Sequence, residues 1–263
     1  MFSIESQSVL PWSFIMSILR SVFVWAAALA LSLPVAAMAD PLPYTSGHAD
    51  FGAGFEEGGL HLHLHAHAGT VIDGKPLTED DEDEFELDDI VVVVPESAKK
   101  IRLAESKWSF LGVDAGEELY VLSQGEVPGE PFLGLGAHGG SIGTPFLFEL
   151  IGYTPPVSGA EFSMYSVDGF GDIDTSVVTS DGVDSNVDQY TLFSPAHAHT
   201  NWAFTEPGDY FLEFMVSAPL GDGGEMISDT GTLHFHVVPE PSMLALLGLA
   251  VLPLGYAAWR RRK

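Results

Sequence analysis

Residues 60–67 read LHLHLHAH, a strict alternation of leucine or alanine with histidine. Successive side chains of a β-strand point to opposite faces, so this stretch predicts a strand with one apolar face and one histidine face. The histidines on that face are His61, His63, His65 and His67. The leucine face is suited to a core, and the histidine face is left for water or for a ligand.

A second His-x-His pair lies far downstream, where residues 195–202 read PAHAHTNW. It places His197 and His199 on one face of another predicted strand. Neutral imidazole is the commonest metal ligand in proteins, and zinc accepts three or four such donors in a tetrahedral array. Two facing strands of this kind would form a metal site. The alternative is a pair of half-exposed strands whose histidines only face water.

The histidine pairs predict one site for a divalent ion, zinc before copper, nickel or manganese. Nitrogen donors suit zinc and copper better than magnesium or calcium, which prefer oxygen. At least three ligands are expected from the set His48, His63, His65, His197 and His199. Asp50 or Asn201 would accept a hydrogen bond from the free N–H of a ligand ring. The pattern leaves open the participation of His61, His67, His138, His234 and His236.

The composition is typical of an all-β protein with many turns, since 263 residues include 28 glycines and 17 prolines. About ten short strands predict a single two-sheet antiparallel β-sandwich, Ig-like, over residues 40–238. The β-branched run Ile90–Val94 is best explained as a buried strand. Residues 52–59 are predicted to be a loop before the histidine strand. The acidic stretch 79–89 is predicted to be a solvated loop, with calcium binding as the alternative.

The charge of the chain is strongly negative, with a formal net value of −27 at pH 7. Residues 40–238 hold 35 of the 37 acidic residues and only five of the ten basic ones. Such a surface repels phosphate backbones, which excludes nucleic acid as a partner, and it attracts cations. The chain has no cysteine, so disulfides and thiolate metal sites are excluded as well.

Residues 1–39 are predicted to be a cleavable N-terminal signal helix. Arg20 precedes an apolar run from Val22 to Val35, and Ala37-Met38-Ala39 has the small-x-small form that signal peptidase cleaves. A retained membrane anchor is the alternative hypothesis.

Residues 239–263 have a three-part arrangement typical of a sorting signal. The parts are the motif Pro239-Glu240-Pro241, the apolar segment 243–259 and the basic end 260–263. This arrangement resembles the PEP-CTERM signal, which implies a bacterium with an exosortase that processes the tail after export. The apolar segment is just long enough for a transmembrane helix, and the basic end should stay cytoplasmic. The expected localisation is export, membrane anchoring, and then the cell surface.

Several motifs of the middle region are similar to one family of surface proteins. They are SGHADFG at 46–52, LHLH at 62–65, HAHTNWAFT at 197–205 and EPGDY at 206–210. Residues from about 44 to 238 thereby resemble the choice-of-anchor M domain, also called the actinobacterial surface-anchored domain. The resemblance implies a substrate-binding surface receptor or a metal relay. The additional His61 and His67, and the acidic insertion before Asp88, depart from the family pattern.

Three functional hypotheses fit these observations. The first is a metal-binding surface module, and the second is a structural or adhesive surface protein in which the histidines are incidental. The third is a cupin-like metalloenzyme, but the cupin pattern needs a glutamate soon after the first His-x-His, and residues 68–75 contain none. We expect a protein that is not an enzyme. Its expected partners are signal peptidase, exosortase, and either an exopolysaccharide matrix or a metal-transporter component.

Overall fold

The computed structural model describes residues 40–56, 59–78, 83–221 and 224–239, which form β-strands joined by turns and short 3-10 helices. The strands are β1 (Leu42–Glu56), β2 (Gly59–Ala66), β3 (Val71–Ile72), β4 (Lys75–Pro76), β5 (Asp83–Glu86), β6 (Ile90–Val94), β7 (Lys99–Ile101), β8 (Glu118–Leu122), β9 (Pro131–His138), β10 (Pro145–Thr154), β11 (Phe162–Val167), β12 (Ile173–Val178), β13 (Gln189–Phe193), β14 (Ala196–His199), β15 (Asn201–Phe204), β16 (Gly208–Pro219) and β17 (Met226–Val237). The 3-10 helices are Leu87–Asp89, Glu96–Ala98, Ser106–Leu111 and Thr179–Asp181.

The two predicted terminal segments fall outside this part of the chain. The signal helix at 1–39 and the tail from residue 240 onwards are not among the described residues. Within the described ranges, no helix has the length and apolar character needed to cross a membrane.

The strands form two sheets, which confirms the all-β, two-sheet prediction. The larger sheet runs β13-β10-β16-β17-β6-β1-β2-β5, and β9 pairs with β1 and with β14. The smaller sheet runs β12-β11-β15-β8-β7. Among the described strands, β1 is parallel to both β6 and β9, and β6 is parallel to β17. The predicted antiparallel pairing therefore holds for most of the fold but not for these three pairs, which join strands that are not neighbours along the chain.

The long strand β1 belongs to two parts of the larger sheet. Its beginning, Leu42–Tyr44, pairs with β6, whereas Ala49–Glu56 pair with β2. The change occurs at Gly47, whose φ of 92° is rarely adopted by residues with a side chain. A Cβ at this position would also lie 2.6 Å from the Cα of Thr70. Glycine is therefore required where the strand turns from one part of the sheet to the other.

The five neighbouring strands β5-β2-β1-β9-β14 carry most of the histidines of the chain on one side. The opposite side is apolar and faces the core, where the ring of Phe51 lies 5.5 Å from that of Phe148 and 5.4 Å from that of Phe214. We call the polar side the histidine face. Its members are His48, Asp50, His61, His63, His65, His67, Glu84, Glu86, His138, His197 and His199.

One main core joins the two sheets. Trp202 of the smaller sheet is fully buried, and its ring lies 5.5 Å from Phe235 and 6.5 Å from Phe214 of the larger sheet. A small second cluster, which includes Leu119 and Tyr165, lies on the outer side of the smaller sheet. The main core therefore holds the apolar side of the histidine-bearing strands in a fixed position, which is the condition for a preformed site.

Two segments that the sequence predicts as loops are in fact strand. Residues 52–56 continue β1, and residues 83–86 of the acidic stretch form β5, which pairs with β2 at the edge of the sheet. In β5 the acidic side chains of Glu84 and Glu86 alternate with Phe85, which is the pattern of a half-buried strand. This places two carboxylates on the histidine face.

Candidate metal centre

The register of the five strands arranges the histidine face in rows. One row across the strands consists of Glu84, His65, Asp50, Gly134 and His199. The next row consists of Glu86, His63, Gly52, Gly136 and His197. Both rows thus contain glycine between ligand-type side chains.

The glycines provide the space in which the histidine rings lie. A Cβ on Gly52 would lie 2.7 Å from His63 Nε2, and a Cβ on Gly136 would lie 2.9 Å from His138 Nε2. A Cβ on Gly134 would collide with the carboxylate of Asp50. These glycines have no positive φ, so glycine is needed here for volume and not for backbone conformation. The histidine face is therefore a shallow trough with a glycine floor.

Asp50 lies at the centre of the first group of possible ligands. Its Oδ2 is 3.2 Å from His67 Nε2, and its Oδ1 is 3.5 Å from His48 Nε2. One ligand atom from each of these residues falls within 4.8 Å of the others. His199 Nε2 is close by, 3.9 Å from Asp50 Oδ1. We call His48, Asp50 and His67 the first centre.

The protonation states at the first centre suit a cation. Asp50 is only 1% exposed, and burial alone would raise its pKa. The neighbouring His48, His67 and His199 outweigh that effect, so the pKa of Asp50 lies below its ordinary value. Burial lowers the pKa of His199 to about 4. Near neutral pH the centre therefore combines an ionised carboxylate with a neutral imidazole at His199.

A second group of possible ligands lies beside the first. Glu84 Oε1 is 3.4 Å from His63 Nε2 and 4.0 Å from His65 Nδ1. One ligand atom from each of these three residues again falls within 4.8 Å of the others. We call His63, His65 and Glu84 the second centre. The two centres share no residue, and they meet where the rings of His65 and His67 stack at 4.7 Å.

The second centre contains the most buried imidazole of the histidine face. His63 is 2% exposed, and its burial, followed by the charges of His61 and His138, lowers its pKa to about 4. Burial likewise lowers the pKa of His138, whose ring lies 5.6 Å from that of His65. Both rings are therefore neutral near pH 7, which is the form that binds metal.

Several buried polar atoms on the histidine face make no hydrogen bond among the described residues. They are His48 Nε2, Asp50 Oδ1, His63 Nδ1, His63 Nε2, His138 Nε2 and His199 Nδ1. A buried polar atom without a partner costs about 1–3 kcal/mol. Their concentration in one trough offers an ion or ordered water several partners at once.

The five histidines predicted as ligands of one ion occupy different positions. His48 belongs to the first centre, with His199 beside it, whereas His63 and His65 belong to the second. His197 is exposed, and its ring centroid lies 5.6 Å from that of His48. The structure therefore places them around two centres and not around one.

The two polar residues predicted to support the ligands also have different positions. Asp50 is in the middle of the first centre, where it can itself be a ligand. Asn201 lies on the smaller sheet, and its amide donates to Gln124 Oε1 and to the backbone oxygen of Tyr165. Asn201 is therefore engaged in a separate network that does not include a histidine.

The remaining histidines divide between the site and the outside of the larger sheet. His67 and His138 lie within the trough, and His61 Nε2 is 3.5 Å from Glu86 Oε1. His234 and His236 lie elsewhere, where both contact Asp209 Oδ1, at 3.0 and 2.8 Å. The one ligand type that the sequence prediction missed is the carboxylate of Glu84. Its signal is the alternation of Glu84 and Glu86 with Phe85 inside the acidic stretch.

The spacing of the donor atoms is suited to a tetrahedral transition-metal ion. Zinc–nitrogen bonds of about 2.0–2.1 Å place neighbouring donors roughly 3.3 Å apart. The separations of 3.2 and 3.5 Å in the first centre and 3.4 Å in the second are close to that value. The described residues can thus hold a divalent cation. No family model, curated protein or solved structure matches this chain, so the candidate function rests on the geometry of the histidine face.

Proposed function

We propose that this protein is a surface module that binds a divalent transition metal, zinc in the first place, at the first centre. The observation that carries the proposal is the environment of Asp50. This carboxylate is almost completely buried, and its ion-pair partners among the described residues are all histidines: His48, His67 and His199. A buried ionised carboxylate among imidazoles is the donor set of many zinc sites.

The charge of the domain supports a cation as the ligand. Residues 40–238 carry 35 acidic and five basic residues, and the resulting negative potential raises the local concentration of cations. The trough is open on one side, since most of its histidines are partly exposed. An ion can therefore reach the buried carboxylate without a large movement of the chain.

We further propose that the module acts outside the cytoplasm, as a receptor or relay in metal uptake. The apolar run before Ala39 and the Pro239-Glu240-Pro241 tail support export and surface sorting. In this proposal exosortase processes the tail, and a metal-transporter component receives the ion. The protein binds and transfers a ligand, and it does not catalyse a reaction.

Calorimetric titration of the full chain with zinc chloride tests the metal site. Asp50→Asn and His48→Ala should each weaken binding at the first centre by roughly tenfold or more, because the first removes the negative charge of the carboxylate and the second removes a ligand nitrogen. Asp209→Asn is the matched control, since it changes a carboxylate between two histidines outside the trough. It should bind zinc as the parent does.

Two results would overturn the proposal. Either the parent chain shows no zinc binding, or Asp50→Asn and His48→Ala bind zinc as tightly as the parent. Circular dichroism checks that each variant is folded. A folded variant should give the same β-sheet signal as the parent.

A further inference from the structure

The second centre has its own ligands and its own position in the sheet. His63 and His65 come from β2, and Glu84 comes from the edge strand β5. The ligands of the first centre come from β1 and from the residue that follows β2. Since four donors complete a tetrahedral ion, one ion cannot bind all six residues of the two centres.

The buried atoms of His63 indicate that something besides protein occupies this part of the trough. Neither Nδ1 nor Nε2 of this ring makes a hydrogen bond to any residue that the structure describes, although the side chain is 2% exposed. An apolar side chain would fill such a buried position without that cost. An imidazole is explained if one of its nitrogens binds an ion.

Gly52 shows that the position of the His63 ring is built into the fold. The ring occupies the volume that a side chain at position 52 would need, with Nε2 only 2.7 Å from the ideal Cβ position. His138 is placed in the same way over Gly136, and its buried Nε2 also lacks a hydrogen-bond partner within the described part of the chain. Two unpartnered imidazole nitrogens therefore face the trough next to Glu84 and His65.

The carboxylate completes a donor set for a cation. Glu84 Oε1 is 3.4 Å from His63 Nε2, which is longer than a good hydrogen bond and close to the separation of two donors on one zinc ion. Its distance of 4.0 Å from His65 Nδ1 closes to that value with a small rotation of the exposed glutamate.

We propose that the histidine face holds two divalent transition-metal ions at the same time. The second ion is bound by His63, His65 and Glu84, with His138 as the nearest further donor. This inference rests on the proposed function, since it assigns a second site of the same ligand class to the same trough. The two sets lie side by side, since Asp50 of the first centre is paired with His65 of the second.

Native mass spectrometry and calorimetry of the full chain with zinc chloride test the proposal. The parent should bind two zinc ions. Glu84→Gln and His65→Ala should each retain the ion of the first centre. Each should lose the ion of the second centre, or bind it roughly tenfold more weakly. Asp50→Asn should lose the ion of the first centre and retain the ion of the second. Asp209→Asn, outside the trough, should still bind two.

The outcomes separate this inference from the proposed function. If the parent binds one ion, and Glu84→Gln and His65→Ala leave its affinity unchanged, the second centre is refuted and the first stands. If the parent binds none, both proposals fail. Because Glu84 is exposed, Glu84→Gln should fold, and its result decides the question even if His65→Ala does not fold.

Discussion

The carboxylate of Asp50 lies over Gly134 of the neighbouring strand, in the volume that a side chain at position 134 would fill. The two residues are paired across β1 and β9, so the position of the carboxylate depends on the absence of a Cβ on the opposite strand. The same relationship links His63 to Gly52, which are paired across β2 and β1, whereas His138 lies over Gly136 of its own strand. The glycines are therefore part of the site, although they offer no ligand atom.

Gly134→Ala should weaken zinc binding without removing a ligand. The new methyl group would displace the Asp50 carboxylate from His48 and His67, and we expect a loss of affinity of roughly tenfold or more, by analogy with the removal of a supporting contact. Calorimetric titration with zinc chloride measures it. Gly169→Ala is the control, because a Cβ there meets nothing within 4 Å. Equal affinities of the two variants would contradict the role of the glycine floor.

The metal-free protein should lose stability as the pH falls from about 6.5 to about 4. The pKa of His63 is about 4 in the folded protein and 6.5 ordinarily, so the unfolded chain binds more protons in this window. His63 alone would account for roughly 3 kcal/mol of unfolding free energy by pH 4, and His199, with a pKa also of about 4, adds to it. Urea denaturation in the presence of a chelator at several pH values measures the slope.

The variant His63→Gln identifies the source of this pH dependence. It removes the titrating group, so the unfolding free energy should decrease less steeply between pH 6.5 and 4 than in the parent. The same slope in parent and variant would show that burial does not hold His63 neutral.

Phe51→Ala should destabilise the fold by about 3–5 kcal/mol, since it leaves a cavity in the core below the histidine face. The Phe51 ring is fully buried between Phe148 and Phe214. Phe170→Ala is the control, because Phe170 is 95% exposed and its truncation should change stability by less than about 0.5 kcal/mol. Urea unfolding measures both effects. Equal unfolding midpoints for Phe51→Ala and Phe170→Ala would show that Phe51 does not support the sheet.

Processing of the tail should depend on the Pro239-Glu240-Pro241 motif. Glu240→Ala should leave the protein unprocessed in the membrane fraction, because the sorting enzyme would no longer recognise its motif. Fractionation and gel mobility in an exosortase-containing host measure this. Glu225→Ala, an acidic residue ahead of the motif, should be processed normally. Release of the Glu240→Ala protein at the parent's size would argue against the sorting proposal.

Local patterns in the sequence were sufficient for much of the fold. The alternation of residues 60–67 gives β2 and its two faces, and the β-branched run Ile90–Val94 is strand β6 with those bounds. Both signals depend only on neighbouring residues, since they reflect which side of one strand is buried. Such patterns can be interpreted without knowing which strands pair with each other.

The glycines of the site were misinterpreted for a physical reason. Glycine usually indicates a turn, so residues 52–59 are predicted as a loop. In the structure β1 continues to Glu56. Gly52 makes room for the His63 ring of β2, and Gly134 makes room for the Asp50 carboxylate of β1. That requirement depends on which residues face each other across paired strands, so no pattern within one strand reveals it.

The division of the ligands into two centres depends on register, which the sequence does not give. His48 lies beside His67 and not beside His63 because of the way β1 pairs with β2. The position of Asn201 depends on where the chain passes from one sheet to the other, which the sequence also does not reveal. His199 and Asn201 are two residues apart and would share a face in one strand, but the chain leaves the larger sheet at Thr200. The two side chains consequently lie on different sheets.

The strands around the first centre also determine when the site can exist. His48 and His67 are close in sequence, whereas His199 and the partner strand β9 are synthesised much later, and β1 remains without its parallel neighbour until then. A newly made chain thus carries His48, Asp50 and His67 early, but it lacks β9, whose Gly134 gives the Asp50 carboxylate its space. Joining β9 to β1 closes a long loop, which costs chain entropy. The complete trough therefore needs most of the chain, so tight zinc binding would report that β9 has joined β1.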